Sequence, residues 1–414
     1  MEYYLVNGEV RRKMTATVNL EDAVSTCCTY IQPVGSEYVH INDAFRRISA
    51  EDITSLVDVP SFDRSSMDGY AISYDDLKIL NLRESISLQI AGIIQAGSIV
   101  PRQIKAGETY RIMTGALVPE GSGAVIKQEE VESYKEQDKI VVRRRHKPNQ
   151  NISRAGELLR AGDKIAAKGQ LLKAEVLEQI ATCGIDKIEV HRIPRVAVID
   201  TGSELILPGV PIREGQIYAS SRSLLAGKIK EAGAEPLLFD SVVEDDLMAI
   251  VQAIEKAVNV VDMVIITGGT GKGLYDLVYN AFEHIQAKTL FRGVNIIPGK
   301  FSSAVIYNNK IIFNVSGNPH AAGILFEVLV KPALQKLSGN LLYIQEWFDI
   351  VLQCALKKIK PVRNLCLGEI IFENGGIYAQ PTGKSGYHYI RNPIILDIQP
   401  GQGAAGDMVK ALLL

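Results

Sequence analysis

Three carboxylates and a glycine turn carry most of the chemical information in this 414-residue sequence. The turn reads Thr267-Gly268-Gly269-Thr270-Gly271, directly after the apolar run Met263–Ile266 and before a helix-like segment. A buried strand that ends in glycines and opens a helix leaves several backbone N–H groups unpaired and aimed at one point. Glycine lets a phosphate reach them. Asp276 follows the turn, Glu204 follows Thr201-Gly202-Ser203, and Asp245 precedes a helical pattern. Carboxylates beside a phosphate cradle suit a divalent ion such as Mg²⁺, which takes oxygen ligands and bridges both partners of a phosphoryl or nucleotidyl reaction. Taken singly, each feature also reads as a plain tight turn or a surface acid. The run from Gly268 to Gly273 lacks the spacer and final Ser/Thr of a P-loop, and it lacks full dinucleotide spacing.

The elements that must hold these residues follow from periodicity. From Arg195 the pattern alternates: a strand Val196–Asp200, a helix through Leu224, Leu225 and Ile229 that stops at Gly233, and a strand Leu237–Asp240. A helix with Leu247, Ile250, Val251 and Ile254 inward and the strand Met263–Thr267 come next. Such alternation predicts a parallel sheet with helices on both faces and ligands at the strands' C-terminal ends, where Thr201, Asp245 and the glycine turn fall. Asn308-Asn309 marks a hairpin turn between Ser303–Tyr307 and Lys310–Val315. After it, Ser316-Gly317-Asn318-Pro319 places an N-cap and an N1 proline at the start of a long apolar helix reaching about Leu337, a second anion-friendly terminus.

Upstream, residues 19–50 read as two helices, capped by Asn19 and Asn42. Short alternating segments between Glu51 and Arg145 read as an all-β module. The stretch Pro60–Ala71 crowds Asp63, Asp68, three serines and Arg64 together, and Thr114-Gly115 ends a strand. Both fit functional loops, with Asx-turn structure as the plain alternative. Lys173–Cys183 reads as a helix ended by Gly184. The tail from Gly339, with Leu367–Phe372 and Ile394–Ile398, reads as a further small β domain. The expected division is therefore 1–50 with 146–185 as an elongated linker domain, 51–145 as its β insertion, 186–338 as the α/β domain and 339–414 as the last β domain.

Composition narrows the function classes. A net charge of −2 gives no electrostatic case for binding nucleic acid or an anionic membrane. The basic cluster Arg143–Lys147 reads as a solvated turn. No apolar run approaches the roughly 18 residues of a membrane span, and the start lacks a signal-type core, so a cytoplasmic location is expected. The five cysteines are odd in number and lack metal-ligand spacing.

Eight motifs in one order add a family resemblance: VPSFDRSSMDGYA, RIMTGALVPEG with VIKQEE, RAGELLRAGD, VIDTGSEL, GQIYASSRSLL, VIITGGTGKGLYD, IPGKFSSA and SGNPHAA. With them the chain, from about residue 15 to its end, resembles the molybdopterin molybdenumtransferases, which include the E domain of gephyrin. The resemblance implies a four-domain homodimer that exchanges the adenylyl group of adenylylated molybdopterin for molybdate, assisted by Mg²⁺, and releases AMP. It implies functional roles for Asp68 and Thr114 in the β module, and for Glu204, Asp245 and Asp276, also the metal ligands, in the α/β domain. Thr201, Gly202, Gly268, Gly269, Thr270, Gly271, Lys300, Ser316, Gly317, Asn318 and Pro319 would bind the substrate. The site would lie between subunits, and a molybdopterin adenylyltransferase is an implied partner; that sister family shares the α/β domain.

Departures gather at the site. Leu158, Ser203 and Leu274 stand where the family commonly has acids, and Gly293 and Ile297 where it has lysines. Arg292 and Lys300 could partly replace the charge of the lost lysines; the last domain has no convincing counterpart of the family's basic residue, and Arg363 is the nearest candidate. The serine-rich turn is shortened to Gly383–His388. Alternative readings are therefore a catalytically weakened pterin-binding or assembly paralogue, and a variant acting with tungstate.

Overall fold

The computed structural model describes residues 3–6, 9–12, 17–99, 103–134, 138–269, 277–356, 360–373, 375–382 and 391–414. Thr270, Gly271, Leu274, Asp276 and the Gly383–His388 turn lie outside them. The architecture is the expected α/β plus β multidomain arrangement.

Asn19 precedes helix α1 (Leu20–Thr29), which buries Leu20, Ala23 and Cys27. The second helix predicted before residue 50 is absent. Ser36–His40 forms strand β1, and only a 3₁₀ turn follows at Ile41–Asp43, with the His40 ring accepting from the Asn42 N–H. The reason is tertiary: β1 pairs antiparallel with Lys187–His191, so a ladder partner far along the chain overrides local periodicity. Two further short ladders tie the same chain ends, Ile53–Thr54 with Lys164–Ala166 and Arg64–Ser65 with Ile152–Ser153.

Between them lies a six-stranded mixed sheet: β2 (Gly69–Ser73), β3 (Ile86–Ile94), β4 (Glu108–Ile112), β5 (Ser122–Lys127), β6 (Val131–Tyr134) and β7 (Lys139–Val142). The spatial order is β6-β7-β3-β4-β2-β5. The module is not all-β, because Tyr74–Leu82 forms helix α2. Ser73 caps it by accepting from the Asp76 N–H, and Leu77 and Leu80 pack beneath. His146 is buried rather than part of a solvated turn, while Arg143 pairs with exposed Glu132. Helix α3 (Ala174–Thr182) ends near Gly184, and β8 (Lys187–His191) leads into the α/β sheet.

That sheet comprises β9 (Arg195–Asp200), β10 (Glu235–Leu238), β11 (Met263–Thr267), β12 (Lys288–Arg292), β13 (Ser303–Tyr307) and β14 (Lys310–Val315), ordered β10-β9-β11-β14-β13-β12. The first four are parallel. Both asparagines of the β13–β14 turn have positive φ, 49° and 59°, which a two-residue hairpin of matching twist requires. Strands buried on both faces read as unbroken apolar runs. In β11, Met263 and Ile265 meet α1, α4 (Ser220–Glu231) and the Pro319–Leu337 helices, whereas Val264 and Ile266 meet α5 (Leu247–Val258) and α6 (Leu277–His284). The long helix predicted after Pro319 holds, but as α7 (Pro319–Leu325), a π turn at Phe326–Val330 and α8 (Lys331–Leu337).

The last sheet, β15 (Trp347–Leu352), β16 (Arg363–Glu373), β17 (Gly376–Pro381), β18 (Pro393–Ile398) and β19 (Met408–Leu413), closes on itself because β16 pairs with β18 as well as β17. Ile296–Ile297 adds to the start of β16, so the turn carrying Lys300 sits where the α/β sheet meets this barrel.

Candidate active site

Parallel strands β9, β11 and β14 bring their C-terminal turns to one edge. Gly268 has φ +96°, and a side chain there would come within 2.3 Å of the Thr201 carbonyl oxygen. Only glycine lets the turn after β11 lie this close to the turn after β9. On the other side Gly317 packs against the Gly268 backbone, and the Ser221 hydroxyl donates to the Gly317 carbonyl at 2.7 Å. Asn318 caps α7 by accepting from the Ala321 N–H at 3.2 Å, and Ser316 accepts from the Asn318 N–H at 3.2 Å. Thr201, Gly202, Gly268, Gly269, Ser316, Gly317, Asn318 and Pro319 are therefore brought together, as the sequence reading expects. The N–H groups of Thr201, Gly202, Gly268 and Asn318 are spent on Thr267, Val243, Val315 and Ser316, so the edge offers an anion the Gly269 backbone beside the N-terminus of α7.

The acids flank it on two loops laced to each other. Val243 N–H donates to the Asp200 carbonyl at 2.9 Å, and Gly202 N–H to the Val243 carbonyl at 3.1 Å. Asp245 accepts from the Ser203 N–H at 3.2 Å while its own N–H donates to the Ser203 hydroxyl at 3.1 Å. This gives Ser203 a reason: an aspartate there would set two carboxylates against each other, and serine supplies an acceptor without a charge. Glu204, exposed like Asp245, folds its carboxylate back against Gly202. Among the described residues no three acidic, histidine or cysteine side chains stand close enough to hold a metal ion. Exposed Glu204 and Asp245 nonetheless fit the hard oxygen set of Mg²⁺, which binds through one or two carboxylates plus substrate phosphates.

Lys300 stands apart from this edge on a second device. A cavity of about 220 Å³ is lined by Ile297, Gly299, Lys300, Ser302, Ser316 and Lys360, among others. Lys360 was not singled out in the sequence, since it precedes a strand of a different domain with no motif around it. Arg363, the expected basic residue, is committed elsewhere. It clamps Asp397 with two hydrogen bonds of 2.9 and 2.8 Å and reaches Glu21 of α1 at 2.6 Å. Arg292 does not line the cavity; its guanidinium lies over the Tyr279 ring at 3.5 Å. Gly293 has φ +91°, and a side chain there would meet the Lys300 carbonyl at 2.8 Å, so the backbone at this position excludes lysine. Ile297 has no such constraint.

Asp68 and Thr114 form a pair of their own. The Thr114 N–H and hydroxyl both donate to one Asp68 oxygen, each at 2.7 Å. The backbone bond first, then the hydroxyl, hold this exposed carboxyl below the usual aspartate range, with Arg111 adding to the effect. A larger cavity of about 750 Å³ lies between α4, α7 and the barrel. It contains Glu327, pinned by Lys228 at 2.6 Å and Lys331 at 2.7 Å. The Gln345 amide donates to the Glu327 carbonyl in the π turn at 2.6 Å, making this a structural cluster.

Comparison with known proteins decides the family. A family model described as "MoeA N-terminal region (domain I and II)" matches residues 18–184, and one described as "Probable molybdopterin binding domain" matches 197–336. The molybdopterin molybdenumtransferase of Bacillus subtilis is 31% identical over 368 residues, 88% of this chain and 85% of that protein. The chain belongs to the molybdopterin molybdenumtransferase family. The molybdopterin molybdenumtransferase of a Staphylococcus epidermidis strain is likewise 31% identical, over 89% of this chain and 88% of its own length. The crystal structure of the molybdopterin biosynthesis MoeA protein from Pyrococcus horikoshii superposes with a TM-score of 0.81 at 29% identity, covering 96% of this chain and 99% of that one. Membership places the chain among the transferases of molybdenum cofactor biosynthesis, and the molybdenumtransferase fold accounts for the inserted sheet and closing barrel.

Proposed function

We propose that the chain inserts molybdate into adenylylated molybdopterin with release of AMP, as a cytoplasmic homodimer whose site is completed across the subunit interface. One observation carries this reading. Two different anion-binding devices, backbone amides after β11 and the lysine cavity, converge on Ser316. The reaction needs two anions at once, a diphosphate linkage and a free oxyanion.

In this reading the amide of Gly269, with Thr270 and Gly271 beyond, holds the phosphates, while the Gly268 N–H stays bonded to the Val315 carbonyl, and Thr201, Gly202 and the Asn318-Pro319 terminus close around them. Lys300 and Lys360 neutralise molybdate, replacing the charge lost at Gly293 and Ile297. Glu204, Asp245 and Asp276 would hold Mg²⁺, which when bound supplies charge stabilisation at the phosphate oxygens. Asp68, kept ionised and oriented by Thr114, serves the partner's α/β domain as a fixed acceptor. The domain division expected from sequence supports this assignment, since the inserted module would reach across the dimer. A molybdopterin adenylyltransferase is the source of substrate.

Incubating the purified protein with adenylylated molybdopterin, Mg²⁺ and molybdate should release AMP, and Asp276→Ala and Asp68→Ala should each abolish release. Mixing these two inactive variants should restore part of the activity if each site draws on both subunits. Substrate binding without AMP release would instead mark a pterin-binding assembly protein. Release driven by tungstate alone would reassign the oxyanion.

A further inference from the structure

Arg222 lies in the first turn of α4 and is 6% exposed. Its Nε is 3.5 Å from Asp200 Oδ2, its Nη2 donates to the Phe239 carbonyl, and its Nη1 is buried without a hydrogen-bond partner. Buried guanidinium groups are normally fully paired, since an idle donor in the interior is costly. This one keeps a donor unused while joining two specific groups. Both groups begin loops of the site. Asp200 ends β9 and leads to Glu204; Phe239 follows β10 and leads to Asp245. The other Asp200 oxygen accepts from the Thr267 hydroxyl at 2.9 Å, one residue before the glycine turn. Burial first pushes the Asp200 carboxyl up, and Thr267 and Arg222 only partly offset it. The carboxylate therefore depends on its partners.

We infer that Arg222 is a positioning residue that sets the spacing between Glu204 and Asp245. It holds the root of the Asp245 loop to the root of the Glu204 loop, while the Val243 bridge and the Ser203–Asp245 pair lace the loops nearer their tips. The inference rests on the proposed assignment of the two acids as metal ligands. Arginine is needed because its planar fork spans a carboxylate and a carbonyl together; a lysine ammonium is a point charge that serves one well.

The test uses Mn²⁺ as a spectroscopic probe of the full-length protein, measured by electron paramagnetic resonance without turnover. Arg222→Lys keeps the buried charge beside Asp200 but releases the Phe239 carbonyl. It should weaken Mn²⁺ binding about tenfold, as loss of an outer-shell support does. The Mg²⁺ needed for half-maximal AMP release should rise in step, while binding of adenylylated molybdopterin in EDTA stays unchanged. Asp200→Asn/Arg222→Gln removes both charges, so no buried acid is stranded; it should melt near the parent and show the same Mn²⁺ defect. If both variants fold and bind Mn²⁺ like the parent while Glu204→Ala does not, the inference is overturned and the site reading stands. If Glu204→Ala also binds Mn²⁺ like the parent, the metal assignment falls and the inference with it.

Discussion

The anion cradle after β11 and the cavity around Lys300 share Ser316 but are built by opposite means. The cradle is backbone: glycines at strand ends and a capped helix, fixed by contacts such as Gly268 against Thr201. The cavity takes its positive charge from two side chains: Lys300 from a turn of the α/β region and Lys360 from the edge of the barrel. Backbone geometry tolerates no substitution, so its residues stay in their motifs. A cation can be supplied from any direction, so charge lost at Ile297 can return from Lys360. On the proposed assignment, Gly293 and Ile297 leave the cavity's charge to Lys300 and Lys360, while Arg363 serves Asp397 and Glu21.

The largest effect should come from the cradle. Gly268→Ala forces a Cβ against the Thr201 carbonyl in a left-handed backbone, and AMP release should fall about a hundredfold or more, roughly 3 kcal/mol. A variant that keeps full activity would show that the turn after β11 does not carry the phosphates. Next in size is a control outside both devices. Glu327→Gln strands two lysines and should cost about 3 kcal/mol of stability at neutral pH, with turnover per folded molecule unchanged. Burial would raise the Glu327 pKa, but Lys228 and Lys331 outweigh it and hold the value down. The stabilisation is therefore present above the ordinary glutamate range and disappears as pH falls through the depressed value, where Glu327 and glutamine become alike. Denaturant melts at a series of pH values would show the two curves converging in acid.

Lys300→Ala and Lys360→Ala come third. Each removes a charge-assisted contact worth about 1.5–3 kcal/mol, so half-saturating molybdate should rise about tenfold or more, with substrate affinity unmoved. The smallest effect separates the two lost lysines. Ile297→Lys should lower half-saturating molybdate a few-fold, whereas Gly293→Lys should destabilise the fold, because only the second meets a backbone clash. Equal behaviour of the two would contradict the geometry assigned to Gly293.

What was legible in the sequence follows the same division. Features written in local chain chemistry were readable: the Asn308-Asn309 turn, the Asn318 cap, the apolar run of β11 and the Gly233 stop. Of the residues the resemblance carried, the structure gathers Thr201, Gly202, Gly268, Gly269 and the Ser316–Pro319 turn at the cradle, while Lys300 and the Asp68–Thr114 pair stand apart from it. What escaped reading depends on distant partners. The Ser36–His40 strand needs Lys187–His191 across the ladder, and Lys360 needs the closing barrel. Arg363 reads as the site cation because charge alone is visible in the sequence; Asp397 and Glu21, which claim it, lie in the paired strand β18 and in α1, both distant along the chain.

Diffraction at the molybdenum absorption edge from crystals soaked in molybdate tests the central claim most directly. The account predicts one strong anomalous peak within about 4 Å of both lysine ammoniums, Lys300 and Lys360, a distance set by charge-assisted contacts to an oxyanion. A peak lodged instead beside the Arg363 guanidinium, or none at the Lys300 cavity while the soaked protein still releases AMP, would contradict it.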